Sequence, residues 1–374
     1  MKKRMAKIMS AVLVSAMAVS MMAGCGSGKS GTQKGSGKSE EEYTSTSLTT
    51  EQILKKASED GKIGNWGLGN EYELMALLAK YDLPTQFLSQ DFTMDGLDDD
   101  TIELASANTY NEVGLVENDY EGAYGYGDTV GLIDMNKEGT AMLQDNIFCT
   151  GKFAEENPNT VKAFLSASIK GWEYACEHPD EGAEICAKYG STVSEDHQKY
   201  MAKETKKLVE TDMKGNEVSD IGYMDTEALQ QTLDIAKKYV TLDDATAAKK
   251  LQDLSVEDIY DDSYWKDAKE GKFGTPEKSE VSIQLKWLTQ AQFMGYFIAD
   301  AKGYYDEVGL KVNFVQGGGD VSETTAVNNG TVDFGTTYVC NLIVADAGGM
   351  DLLEVGQIFQ SSGMRMIYKY KNFQ

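Results

Sequence analysis

The sequence predicts an α/β fold in two domains, and three observations predict it. Residues 62–81 and 101–112 each read as a short strand that runs through a loop into a helix, the repeating unit of an α/β domain. Residues 281–370 show the same alternation of apolar strands and Gly-bearing loops. Between them, 157–270 carries helical spacing almost throughout. Setting aside an N-terminal leader of 24 residues leaves 350, enough for two domains of ordinary size.

The leader comes first. Lys2, Lys3 and Arg4 precede an apolar run from Ile8 to Met22, and Met22-Ala23-Gly24-Cys25 then gives way to a Gly/Ser/Lys/Glu stretch. A basic head, a short apolar segment and small residues before a cut describe a secretory signal, too short for a spanning helix. With Cys25 at the cut, it resembles a bacterial lipoprotein signal; the alternative is an ordinary signal with an unrelated cysteine. The expectation is a signal peptide over 1–24, Cys25 as the lipidated first residue, and a flexible tether over 25–48. The folded part would then sit on the extracytoplasmic face of the cell membrane, held by lipid.

Thr49-Thr50-Glu51-Gln52 reads as a capping box that opens a helix to Asp60. Lys62–Trp66 is a strand, Gly67-Leu68-Gly69 a turn, and Asn70 the N-cap of a helix to Tyr81. Asn157-Pro158 begins the clearest helix, and its stripe Val161, Phe164, Leu165, Ile169, Trp172 marks a buried face. Helices near 194–211, 225–240 and 255–268 begin at Ser194, Asp225 and Ser255. After the polar connector 271–280, Val281–Trp287 is a strand and Thr289 caps a helix that ends at Gly303. Leu310–Val315, Val332–Val339, Leu352–Ile358 and Met364–Tyr370 are further strands, with Gly317-Gly318-Gly319 leading into a helix that ends near Gly330. A parallel sheet normally continues into a covering helix, and none follows the last strand.

Composition narrows the function. The net charge is −25, and removing the four leader cations brings it to about −29, which argues against nucleic acid or anionic lipid as a partner. No stretch after the leader is apolar enough to cross a bilayer. Cys149, Cys176, Cys186 and Cys340 lack C-x-x-C spacing, so nothing supports a zinc or redox motif. A turn at His178-Pro179 would let Cys176 and Cys186 pair; otherwise all four are buried thiols. His178 and His197, the only histidines, both fall in the helical region. That poverty argues against a metal site and a His-based triad, so no catalytic residue, metal or cofactor is expected.

VSIQLKWLTQAQFMGYFIADAKGYYDEVGLKVNFVQGGGDV (281–321), NGTVDFGTTYV (329–339) and EVGQIFQSSGMRMIYK (354–369) resemble the opening half of binding proteins of ATP-binding cassette importers. The resemblance is to the group related to thiamine-pyrimidine synthase and the sulfonate-binding proteins. KIGNWGLGNEYELMALLAKYDL (62–83), SANTYNE, GTAMLQDNIF and ENPNTVKAFLSASIKGWEYA resemble the half that should follow, yet they come first. The resemblance implies a two-lobed periplasmic-binding-protein-like (type II) fold in circularly permuted order, with new ends at the crossover between lobes. The rival account is a broken tandem fusion. The expected division is 62–145 as lobe 2, 146–270 as helices packing mainly on lobe 1, and 281–374 as lobe 1.

Such a fold implies a ligand cleft at the hinge, faced by loops at the carboxyl ends of strands. Those loops are Trp287–Gln292, Gln316–Gly319, Thr336–Tyr338, Trp66–Glu71 and Asn108–Glu112. The candidate binding residues are Trp287, Gln290, Gln292, Gly318, Gly319, Thr336, Thr337, Asn70, Glu71, Asn108, Tyr110 and Glu112. Trp287 is suited to stack on a flat ring, the amides to bond its edge, and the glycines to admit backbone closely. The resemblance implies a monomeric solute-binding lipoprotein that delivers a thiamine pyrimidine precursor to a membrane permease. Flavins and other small heterocycles stay open, and a sulfonate is disfavoured because Arg365 is the only arginine after the leader. The alternatives are a sensor or adhesin lipoprotein and a pyrimidine-synthesising enzyme. The last is implied to consume pyridoxal phosphate with iron and a Cys/His-rich motif, which this sequence lacks.

Overall fold

The computed structural model describes residues 43–374; the leader, Cys25 and the tether up to residue 42 lie outside the described residues. Among the described residues, ten strands form two sheets and one short pair. They are β1 (Gly64–Asn65), β2 (Leu88–Ser89), β3 (Leu104–Asn108), β4 (Val130–Asp134), β5 (Asn146–Cys149), β6 (Glu280–Gln284), β7 (Lys311–Val315), β8 (Phe334–Gly335), β9 (Leu353–Gln357) and β10 (Met364–Lys369). The larger sheet runs β7-β6-β8-β5-β9 and the smaller β3-β10-β4, with β10 antiparallel to both neighbours.

Two lobes follow from this topology. The larger holds 146–357, including all the helices from Gly151 to Lys269; the smaller holds 43–138 together with 364–374. The chain crosses between them twice, at 139–145 and 358–363. The crossings are bonded to each other: Ile358 and Phe359 N–H donate to the Asp145 carbonyl at 3.2 and 3.1 Å, and Gly363 N–H to Gln144 Oε1 at 2.8 Å. The division expected from sequence is corrected at its last strand. Met364–Lys369 is the centre of the small sheet, so 281–374 is not all one lobe, and the described ends lie on the small lobe rather than at the crossover.

The helix Thr50–Glu59 carries the expected capping box and buries Ile53, Leu54 and Ala57 against Met364, Met366 and Phe373. Thr46 Oγ1 donates to the Phe373 carbonyl, Lys56 to that of Asn372, and Gln374 to that of Ser45 at 3.0 Å. In the large lobe, helix Pro158–Glu177 buries Val161, Phe164, Leu165, Ile169 and Trp172 as its stripe predicts. Its first turn is capped differently from the sequence reading: Asn157 makes no side-chain cap, and the Glu277 carboxylate of the connector accepts from Thr160 N–H at 2.9 Å and Asn159 N–H at 3.2 Å.

Two further corrections concern element type. The strand expected over 332–339 is only Phe334–Gly335, and Val339–Ala347 is a helix. Thr289 caps no helix but accepts from Gln316 at 3.0 Å, and a 3-10 turn at Ala291–Phe293 precedes helix Met294–Ala301. The four cysteines of the described chain are free and buried, so Cys176 and Cys186 do not pair. No described helix is long and apolar enough to cross a membrane.

Candidate functional site

The strand-end loops of both lobes meet over the hinge. A narrow pocket of about 40 Å³ is lined by Trp66, Leu68, Asn70, Phe92, Asn108, Tyr110, Asn111 and Glu112 of the small lobe and by Lys286, Trp287, Gln290, Gln292 and Tyr338 of the large one. It adjoins a wider cleft of about 660 Å³ that shares Leu68, Lys286 and Trp287 and runs past Glu71, Gly318 and Gly319. A water needs roughly 10–15 Å³ of such space, so the inner pocket has room for a few waters and a ring must part the lobes to enter. Phe92 and Trp287 meet edge to face across the cleft, with ring centroids 5.0 Å apart. Beside them the lobes touch at Gly69, where an added Cβ would lie 2.5 Å from Asn341 Oδ1. Larger hollows lie around helix Thr226–Tyr239, whereas the interlobe pocket combines aromatic faces with buried amides from both lobes.

Three polar clusters stand at the walls and just behind them. Gln290 Nε2 donates to Gln292 Oε1 at 2.7 Å, and Gln292 Nε2 to Asp145 Oδ2 at 2.6 Å. Asp145 is buried and its Oδ1 has no partner; burial pushes its carboxyl up to about 7, against the opposing pull of Gln292 and Lys286. Lys286 Nζ lies 3.2 Å from Glu323 Oε1 and 4.4 Å from the centre of the Tyr338 ring, while Thr337 Oγ1 donates to the same Glu323 oxygen. Glu112 Oε2 accepts from the Asn108 N–H at 2.8 Å, and burial raises the Glu112 carboxyl above the usual carboxylate range. The Tyr110 and Tyr338 hydroxyls join the lobes at 3.2 Å.

Of the residues picked out by sequence, Trp287, Gln290, Gln292, Asn70, Asn108, Tyr110 and Glu112 line the inner pocket, and Glu71, Gly318 and Gly319 the outer cleft. Thr336 and Thr337 are fully buried behind the lining. The sequence reading missed Lys286, Phe92, Asp145 and His197. Lys286 stands directly before the expected Trp287, so its cation was within reach of the same motif. His197 does lie in the helical region, as its sequence position predicts, yet its Nε2 lies 2.8 Å from Asn111 Oδ1, in the Asn108–Glu112 strand-end loop.

Residues 47–182 and 290–372, more than half of the chain, match the family described as NMT1/THI5 like. The chain belongs to the NMT1/THI5-like family. Over 81 residues it is 28% identical to a 4-amino-5-hydroxymethyl-2-methylpyrimidine phosphate synthase of Legionella pneumophila. That segment is 22% of this chain and 26% of the relative, so the match spans about a quarter of the relative's length. The expectation that this chain is not an enzyme is corrected by that finding, since the relative is named as one.

The iron and pyridoxal phosphate that the resemblance to a synthase implies find a poor fit. Among the described residues no three His, Cys, Asp or Glu side chains converge to hold a metal ion, and no His or Cys lines the inner pocket. The one amine there, Lys286, is held by Glu323.

Proposed function

We propose that this chain is a protein of thiamine-pyrimidine metabolism that closes its lobes on a 4-amino-5-hydroxymethyl-2-methylpyrimidine-type ring. The observation that carries this reading is the inner pocket, where aromatic faces and side-chain amides from both lobes surround a narrow slot. An aminopyrimidine is flat and carries donors and acceptors around its edge, which such walls satisfy. Trp287 and Phe92 would cover the faces, and Asn108, Gln290 and Gln292 the edge. Asp145, buried behind the lining, would hold the Gln292 amide toward the ring through the bond from Gln292 Nε2 to its Oδ2.

Formation of the pyrimidine phosphate, the activity for which the Legionella relative is named, is the first such role. Delivery of the ring to an importer permease is the second, favoured by the lipoprotein-like leader that ends at Cys25. The exchanged order of the halves we attribute to circular permutation, supported by the bonds from Ser45 and Thr46 to Gln374 and Phe373 and by β10 completing the small sheet. Two incubations of the purified protein test the site by mass spectrometry: one with the ring, following bound pyrimidine, and one with pyridoxal phosphate and iron, following newly formed pyrimidine phosphate. New pyrimidine phosphate supports synthesis, retention of the ring without product supports delivery, and absence of both overturns the ring assignment. The anchor is tested by Cys25→Ser, which should shift the protein from the membrane to the soluble fraction; an unchanged distribution would remove the lipid from the account.

A further inference from the structure

We propose that His197 is a positioning residue that holds the Asn108–Glu112 loop in its pocket-forming shape from across the cleft. This rests on the ring site proposed above. His197 lies on helix Glu195–Glu210 of the large lobe, while every group its ring bonds to belongs to the small one. Its Nε2 meets Asn111 Oδ1 at 2.8 Å, Asn111 Nδ2 donates to Glu112 Oε1 at 2.6 Å, and Glu112 Oε2 accepts from the Asn108 N–H at 2.8 Å. On its other side Nδ1 meets the Tyr120 hydroxyl.

The donors fix the tautomer. Asn111 gives its N–H to Glu112, so its oxygen must accept, and His197 must carry its proton on Nε2. Nδ1 is then an acceptor, which the Tyr120 O–H satisfies. The ring is 4% exposed, and burial alone lowers its pKa to about 4, so this neutral tautomer persists at ordinary pH. The relay Tyr120–His197–Asn111–Glu112–Asn108 therefore has every polar atom of the imidazole engaged and ends on two residues that line the pocket.

The same helix grips the loop a second time. Tyr200 stacks parallel to His197 with centroids 6.0 Å apart and donates to the Thr109 carbonyl at 2.9 Å. Its ring also presses on helix Glu112–Glu117 where Gly114 leaves room; a Cβ there would stand 2.1 Å from the ring. A purely structural ring at 197 would need only the stacking. Nε2 is used instead to orient Asn111, which lines the pocket, and both ring bonds span the two lobes, so separating the lobes at this point would break them. Closure and loop shape are thereby coupled through one side chain.

Amide hydrogen exchange of the full chain, without ligand, together with calorimetry against 4-amino-5-hydroxymethyl-2-methylpyrimidine, tests the relay. His197→Phe keeps the ring and its stacking but loses both bonds; His197→Gln restores an N–H near the Nε2 position. The expected result for His197→Phe is exchange about tenfold faster, confined to residues 108–120, and affinity about tenfold weaker. His197→Gln should stay within about threefold of the parent in both. Unchanged exchange in His197→Phe, or equal loss in His197→Gln, overturns the proposal. Should His197→Phe loosen the whole fold, Tyr120→Phe carries the test: faster exchange in the same segment supports the relay, and none overturns it. If the parent binds no pyrimidine while exchange follows the pattern, the relay stands and the ring assignment fails.

Discussion

Trp287 is half-buried, lines both the inner pocket and the outer cleft, and meets Phe92 edge to face. Losing a stacking platform of this kind costs about 1–3 kcal/mol, so Trp287→Ala should weaken pyrimidine binding roughly tenfold to a hundredfold by calorimetry. Unchanged affinity would move the ring elsewhere. Trp287 and its amide neighbours were legible because they follow a strand directly in a tight motif. Asp145 and His197 were not. Asp145 lies on a hinge crossing and His197 on a helix of the other lobe, and only tertiary packing brings them to the loops. Lys286 was adjacent in sequence, but its partner Glu323 comes from 37 residues downstream.

Helices Pro158–Glu177 and Met294–Ala301 approach closely enough to require glycine on both. An added Cβ at Gly171 would lie 2.2 Å from the Gly295 carbonyl, and one at Gly295 would lie 2.1 Å from the Trp172 ring. Gly295→Ala should therefore destabilise the protein by about 1–3 kcal/mol in denaturant unfolding, as overpacking does. A neutral result would mean that the helices slide apart at no cost. The first helix was legible from its apolar stripe. The helix Val339–Ala347 was not, because VCNLIVADA is apolar on most sides, and a short apolar run does not separate a buried helix from a buried strand. Asn157 misled in another way: it has the right chemistry for an N-cap, but Glu277, far along the chain, occupies the position.

At the scale of the whole molecule, the two-lobed α/β architecture was legible from the alternation of elements and from the resemblance, whereas the exact lobe boundary was not. An apolar strand reads alike in either sheet, and only pairing shows that Met364–Lys369 serves the small one. The molecule also carries a pH signature. Burial raises Glu73 to about 8, Glu354 to about 8 and Asp145 to about 7, so each binds a proton more readily folded than unfolded. Their contribution to stability is full below the ordinary carboxylate pKa and is lost as pH rises through 7–8. His197 runs the other way: with its pKa lowered from 6.5 to about 4, its contribution is full above 6.5 and fades as pH falls toward 4. Tm should thus be higher near pH 6 than at pH 9, and Asp145→Asn should flatten part of that slope. A Tm that rises from pH 6 to 9 would contradict the buried carboxylates.

The most direct test of the central claim is a calorimetric titration of the full chain with 4-amino-5-hydroxymethyl-2-methylpyrimidine. The account predicts one saturable site per chain, with a negative heat-capacity change as aromatic faces close over the ring. Absence of saturable heat up to millimolar ring would contradict it.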